Sequence, residues 1–354
     1  MDHFTLRNGA MYAEDVPLSR IAAEVGTPVY VYSRATLERH ARVFMDALSG
    51  LERKHFAFAI KANPNLSVLR VLAKCGFGAD VVSGGEIARA LAAGIAPKDV
   101  VFSGVGKTRE ELRRALEDGI GQFNIELEDE GIAISELAAK MGLRAVAVLR
   151  VNPDVDAKTH AKISTGKKEN KFGVPIDQAG AIYARLASLP GLDMRGVALH
   201  IGSQVFDLDP LEAGYSRIGQ FVRDLRAAGF SVDRVDLGGG LGVPYQRGQV
   251  PPEPAEYGRM VARVTKGWDV TLMFEPGRVI VGYAGVLLTS VIWVKPGVIN
   301  PYVIVDAAMN DLARPALYDA WHDFEAVVPN GERMIANIAG PVCESTDTFA
   351  MARD

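Results

Sequence analysis

The sequence predicts an α/β fold, a closed (β/α)8 barrel joined to a smaller β-rich domain, and three observations carry that reading. Between His55 and Glu275, short β-branched or aromatic runs alternate with longer segments of helical apolar spacing, the signature of repeated βα units around a parallel sheet. The runs number about eight, the strand count that closes a barrel. After Gly277 the helical period gives way to strand-like alternation.

The opening segment is itself strand-like at Thr27-Pro28-Val29-Tyr30-Val31-Tyr32. It is expected to join the β-rich domain, giving residues 1–34 and 281–354 to that domain and 35–280 to the barrel. The barrel runs are His55 to Ile60, Gly78 to Val82, Val100 to Ser103, Gln122 to Glu126, Ala145 to Val151, Gly196 to His200, Arg234 to Leu237 and Val270 to Glu275. Thr108 and Glu111 read as a capping box, Leu112, Ala115 and Leu116 share one face, and Gly119 stops that helix. Gly94, Gly142 and Gly229 are expected to end other helices in the same way. The alternative is a doubly wound sheet, which would place a glycine-rich fingerprint after the first strand, where this chain has Lys61-Ala62-Asn63-Pro64. Beyond the barrel, strands are expected at Ala284 to Val294, Tyr302 to Val305 and Met334 to Ile338. The loop from Asn152 to Phe172, with Lys158, Lys162, Lys167, Lys168 and Lys171, is long and polar enough to be mobile.

Composition narrows the function classes. The 354 residues are 48% hydrophobic and 23% charged, as in a soluble enzyme, and the net charge of −4 offers no basic patch for nucleic acid. Gly282 to Val294 is the most apolar stretch, but Thr289 and Ser290 interrupt it and a membrane helix needs about 20 residues. The first residues lack a secretory signal's basic start and apolar core, so the expected compartment is the cytoplasm, with Cys75 and Cys343 as thiols. The six histidines show no ligand spacing, and no metal is expected.

In a parallel barrel the chemistry sits at the C-terminal strand ends, and here those ends bear Lys61, Ser83, Ser103, Glu126, Asn152, His200, Gly238 and Glu275. Lys61 follows the apolar Phe58-Ala59-Ile60. It reads either as a solvated side chain or as a Schiff-base amine made nucleophilic by desolvation. Gly238-Gly239-Gly240 follows the seventh run, where barrels commonly bind phosphate, although a glycine turn needed only for geometry reads the same way. Glu275-Pro276-Gly277-Arg278 closes the eighth run. It reads as a surface ion pair, or as a carboxylate that keeps a pyridine nitrogen protonated and makes the ring an electron sink. His200 is either a hydrogen-bonded structural histidine or an imidazole lying flat on a planar cofactor, with Ser203 able to donate to a phosphate.

In this order, Lys61-Ala62-Asn63, Ser83-Gly84-Gly85-Glu86, His200 to Gln204, the glycine triplet, Glu275 to Arg278, Arg314-Pro315-Ala316-Leu317-Tyr318 and Cys343-Glu344-Ser345-Thr346-Asp347 resemble the group IV (fold type III) pyridoxal-phosphate decarboxylases. Within them the sequence is most similar to the diaminopimelate decarboxylases, over nearly the whole chain. The resemblance implies pyridoxal 5′-phosphate held by Lys61 as an internal aldimine, His200 stacked on the ring, and Glu275 at the pyridine nitrogen. Ser203, Gly238, Gly239, Gly240, Gly277 and Arg278 would line the rest of the cofactor site. It implies substrate binding by Arg278, Arg314, Tyr318 and Glu344, and a homodimer whose sites are shared, with Cys343 returning a proton from the partner protomer. The implied reaction is decarboxylation of meso-diaminopimelate to L-lysine, the last step of lysine biosynthesis. Family members continue past the cysteine motif into further strands and a cofactor-facing tyrosine, so the β-rich domain is expected to be incomplete at its C-terminus.

Two other functions compete. Decarboxylation of ornithine, arginine or a polyamine precursor uses the same scaffold, but those substrates lack the distal carboxylate that Arg278 and Arg314 would pair. A non-catalytic pyridoxal-phosphate carrier would not need the β-rich domain.

Overall fold

The structure, a computed structural model, describes residues 3–156, 171–246 and 248–354. Lys158, Lys162, Lys167 and Lys168 of the expected mobile loop lie outside those residues. The chain forms two compact units. One contains the N-terminal segment to Thr36, Pro244–Val250 and Gly282–Asp354; the other contains Leu37–Val243 and Pro251–Val281.

In chain order, β1 (Phe4–Arg7), β2 (Ala10–Ala13) and β3 (Val16–Pro17) form an antiparallel meander, followed by the helix Leu18–Val25 and β4 (Val29–Tyr32). The barrel unit then supplies β5 (Lys54–Ala59), β6 (Gly78–Val81), β7 (Val100–Phe102), β8 (Gln122–Ile125), β9 (Ala145–Asn152), β10 (Val174–Pro175), β11 (Leu192–Ala198), β12 (Arg234–Asp236) and β13 (Thr271–Phe274). All of these pair in parallel, and β8 pairs with β9 to close the ring. An open doubly wound sheet has no such closing pair, so that alternative is excluded. The two-residue β10 adds to β9 outside the ring.

Each barrel strand lies at its expected run. The largest difference is in β11, which starts at Leu192 and not at Gly196. The expected boundary falls where the pairing with β9 shifts register between Met194 and Gly196. A Cβ at Gly196 would stand 1.8 Å from the Arg234 carbonyl oxygen, so the glycine marks a close approach within the strand and not its beginning.

The helix boundaries follow the capping chemistry. Thr108 Oγ1 accepts from the Glu111 N–H at 3.2 Å, and Glu111 Oε2 accepts from the Thr108 N–H at 3.0 Å. Gly119 ends the helix in the left-handed region at φ 69°. On the outside of the barrel, Phe56 and Phe274 stack at 5.7 Å and Phe44 meets Phe56 edge-on at 6.0 Å. Each buried ring of this kind contributes about 1.5–3 kcal/mol by leaving water.

The barrel buries several polar side chains as well as the apolar cluster of Ala57, Val101 and Met273. Asp80, Gln122, Asn124 and Asp236 are all buried. Gln122, Asn124 and Asp236 survive there because their hydrogen bonds are made internally. Arg234 Nη1 donates to Gln122 Oε1 at 3.1 Å, Gln122 Nε2 to Asn124 Oδ1 at 2.7 Å, and Asn124 Nδ2 to Asp236 Oδ2 at 3.0 Å. This chain runs up the barrel axis towards the C-terminal strand ends.

The other unit continues with β14 (Gly285–Leu288), β15 (Val291–Lys295), β16 (Tyr302–Val305), β17 (Ala336–Ala339) and β18 (Thr348–Arg353). β14 pairs with β4, and β15 to β18 form a sheet in that order. The single strand expected from Ala284 to Val294 is therefore two. Thr289 Oγ1 and the Ser290 N–H donate to Asp306 Oδ1 at 2.6 and 2.9 Å, bonds that break the strand. The expected Met334 to Ile338 strand is β17, two residues later.

Candidate active site at the barrel mouth

Lys61 lies in a single turn, Ile60–Ala62, directly after β5. Its Nζ meets Asp80 Oδ2 of β6 at 2.6 Å, and Asp80 is wholly buried while half the lysine side-chain surface stays open to the mouth. Desolvation pulls the ammonium down, but Asp80 and Glu275 outweigh it and the net displacement is upward. Asp80 Oδ1 is buried without a hydrogen-bond partner. Gly277 explains how β13 reaches this turn. A Cβ there would stand 3.1 Å from that of Ala62, and the Ala59 N–H donates to the Pro276 carbonyl at 3.1 Å.

Glu275 follows β13. Ser103 Oγ and Asn124 Nδ2 approach its Oε1 at 3.4 Å each. Burial first, then the Asp236 and Asp80 carboxylates, push Glu275 well above the usual carboxylate range, and burial raises Asp236 as well. The two buried carboxyls adjoin, so ionising both at once is disfavoured. Asp236 accepts from Asn124 and, at 2.9 Å, from the Gly238 N–H. Those two donors offset part of the cost of burial at Asp236.

The glycine triplet follows β12. Gly238 and Gly240 occupy φ 65° and 122°, where side-chain-bearing residues are strained. A Cβ on Gly239 would stand 2.2 Å from the Glu275 carbonyl oxygen, and one on Gly240 would stand 2.5 Å from that of Gly202. The neighbouring loop after β11 is laced to this one, with the Val205 N–H donating to the Gly240 carbonyl at 2.9 Å and the Gly242 N–H to that of Val205 at 3.1 Å. Ser203 belongs to that loop. His200 begins it, accepting at Nδ1 from the Gly239 N–H at 3.3 Å. Burial, with Arg150 and Lys61 adding to it, pulls the imidazole down to about 3, so it is neutral near pH 7.

Lys61, His200, Ser203, the glycines, Glu275, Gly277 and Arg278 thus belong to one unit and gather at its strand ends. Arg314 and Tyr318 bound a short helix, Arg314–Tyr318, of the β-rich unit, which also carries Glu344 and an exposed Cys343. Sequence reasoning missed Asp80, Asn124 and Asp236, and it missed Arg150 of β9, whose Nη1 pairs with Glu126 Oε1 at 2.7 Å. Asn124 and Asp236 lie in short strands that hold other polar residues, so nothing in the pattern singled them out.

Residues 34–282 match the family described as pyridoxal-dependent decarboxylase, pyridoxal binding domain. The chain belongs to that family. The decarboxylase is 52% identical to diaminopimelate decarboxylase of Zymomonas mobilis over 353 residues, 99% of this chain and 84% of the relative. It superposes on diaminopimelate decarboxylase of M. jannaschii, solved with L-lysine, at a TM-score of 0.94 and 35% identity, covering 99% of this chain and 84% of the other. The Helicobacter pylori enzyme, also solved with L-lysine, gives 0.91 at 38% identity, covering 95% and 84%. Pyridoxal phosphate is the family's cofactor, and the residues at this mouth fit it. They supply an amine beside a half-satisfied buried carboxylate, a glycine cradle that side chains would fill, and a buried carboxyl displaced towards its neutral form. Among the described residues no helix is long and apolar enough to cross a membrane.

Proposed function

We propose that this decarboxylase converts meso-2,6-diaminopimelate to L-lysine and carbon dioxide. The observation that carries the proposal is the convergence of the Lys61–Asp80 pair, the glycine cradle and the buried Glu275 on one barrel mouth, in a chain 52% identical to a diaminopimelate decarboxylase. Pyridoxal phosphate, when bound, supplies the electron sink for the pair left behind as carbon dioxide departs.

The chain's own residues position and protonate. Lys61 holds the cofactor through Nζ, with Asp80 fixing the amine. Gly238, Gly239 and Gly240 shape the phosphate site together with Ser203 and Arg278, and Gly277 brings β13 up against Lys61. Neutral His200 offers a flat ring face that places no positive charge beside the cofactor. Glu275, backed by Asp236, would keep the cofactor's pyridine nitrogen protonated. Arg278, Arg314, Tyr318 and Glu344 bind substrate, and an arginine pair suits a second carboxylate, since charge-assisted bidentate bonds add both energy and geometry. That preference sets diaminopimelate above ornithine, arginine or a polyamine precursor. We further place the enzyme in the cytoplasm as a homodimer, where Cys343 stays a thiol and returns a proton to the neighbouring protomer's site.

The test measures carbon dioxide and lysine from purified enzyme offered diaminopimelate, ornithine, arginine and lysine. Release from diaminopimelate at more than about a hundredfold the rate of the others is expected, with near-total loss in Lys61→Ala, which no other strand-end amine replaces. Cofactor absorption without release from any substrate would make the chain a carrier and not an enzyme.

A further inference from the structure

The β-rich unit contains an arrangement around Arg314 that the assignment of that residue to substrate does not by itself explain. The Arg314 guanidinium carbon lies 4.5 Å from the centroid of the Tyr245 ring. Its Nη1 lies 3.3 Å from His322 Nε2. The two rings meet each other nearly edge to face, 5.9 Å apart at 71°. A face and an edge therefore constrain one guanidinium, and the ring face comes from a stretch of chain remote from Arg314 and His322. Tyr245 is itself anchored. Its N–H donates to Gln249 Oε1 at 2.8 Å, and Tyr283 donates its hydroxyl to the carbonyl of Pro244.

We infer that Tyr245 and His322 are positioning residues that hold the Arg314 guanidinium in one orientation, and that this fixed orientation sets the preference for a substrate with a carboxylate at its far end. The inference rests on the reading that Arg314 binds that carboxylate. An arginine side chain loses up to about 2 kcal/mol of rotamer freedom when it is immobilised. Where a ring face and an imidazole have already restricted it in the free enzyme, less of that cost falls on substrate binding. The planar ion also keeps its fork aligned, and bidentate recognition depends on that alignment. His322 is suited to its part. Burial and the adjacent Arg314 draw its imidazole down to about 4, so it is neutral near pH 7 and accepts a hydrogen bond without repelling the cation.

The experiment compares Tyr245→Leu, Tyr245→Phe, His322→Leu and Arg314→Ala in the full cofactor-loaded chain. It records KM and kcat for diaminopimelate, cofactor absorption and the melting temperature. Tyr245→Leu is expected to raise KM about tenfold, equivalent to about 1.4 kcal/mol, with kcat and cofactor content within about twofold of the parent. Tyr245→Phe keeps the ring and recovers most of the affinity, and His322→Leu raises KM by a smaller factor. If Arg314→Ala raises KM and Tyr245→Leu does not, the positioning role is overturned and the reading of Arg314 stands. If Arg314→Ala leaves KM unchanged, the reading of Arg314 fails and takes this inference with it. Parallel loss of kcat, cofactor content and thermal stability in both Tyr245→Leu and His322→Leu would show that the cluster serves only to fold its unit.

Discussion

His200 couples the site's chemistry to the stability of the barrel. An unfolded histidine takes its proton near pH 6.5, whereas burial, Arg150 and Lys61 hold this one down at about 3. Between those values the unfolded chain binds a proton that the folded chain does not. The stability contributed by neutral His200 is therefore complete above about pH 6.5 and is lost as pH falls towards 3, at up to about 1.4 kcal/mol per pH unit. His200→Phe, which keeps a flat ring but has no titrating nitrogen, is expected to lose less melting temperature than the parent between about pH 6 and about pH 4. Identical slopes for the two proteins would mean that the imidazole titrates normally. At this scale the sequence was informative about strand ends and silent about strand interiors. Lys61, His200 and Glu275 were legible because each follows an apolar run, where a barrel places its chemistry. Asp80 sits inside Gly78–Val81 and Asp236 is the last residue of Arg234–Asp236, and both read as part of the strand pattern. Only the folded barrel shows that Asp80 meets Lys61 and that both carboxylates act on Glu275.

Among the elements, the loop after β12 is the one we propose to shape the cofactor site, through backbone conformations that only glycine takes cheaply. Gly240 combines φ 122° with a site where a Cβ would stand 2.5 Å from the Gly202 carbonyl oxygen. Gly240→Ala must push back the loop that begins at His200, because the Val205 N–H is bonded to the Gly240 carbonyl. Gly229 has a similar φ of 90° but open space around it, so Gly229→Ala carries only the backbone strain, about 1–2 kcal/mol. Equilibrium dialysis with pyridoxal phosphate is expected to show binding weakened at least about tenfold in Gly240→Ala and unchanged in Gly229→Ala. Equal affinity in both would remove the triplet from the cofactor site. The triplet was legible as a site only through its place after the seventh strand run, since its composition alone also describes a plain turn. The eight strands were legible from their alternation with helices. The break between β14 and β15 was not, because it depends on Asp306, which lies remote in sequence from Thr289 and Ser290.

For the whole molecule, the proposed homodimer turns the division into two units into a question of which protomer completes which site. Lys61 and Glu275 belong to the barrel unit, and Cys343 and Glu344 to the β-rich unit. Cys343 is exposed within its own chain. If each site takes its lysine from one protomer and its cysteine from the other, inactive variants should rescue one another. Lys61→Ala and Cys343→Ala would each be nearly inactive as pure dimers. When equal amounts are mixed and allowed to exchange subunits, about half of the dimers pair the two variants. In such a mixed dimer one site collects both substitutions and the other collects neither. Since one site in two is then intact in half of the dimers, the mixture should recover about a quarter of the parent's lysine production. If each protomer instead supplied both residues to its own site, every site in the mixture would carry one substitution and no activity would return. Sedimentation of the mixture, run alongside the assay, establishes that the two variants assemble. Dimers that sediment normally and recover no activity would leave Cys343 outside the shared site and would overturn the assignment of the proton donor to the partner.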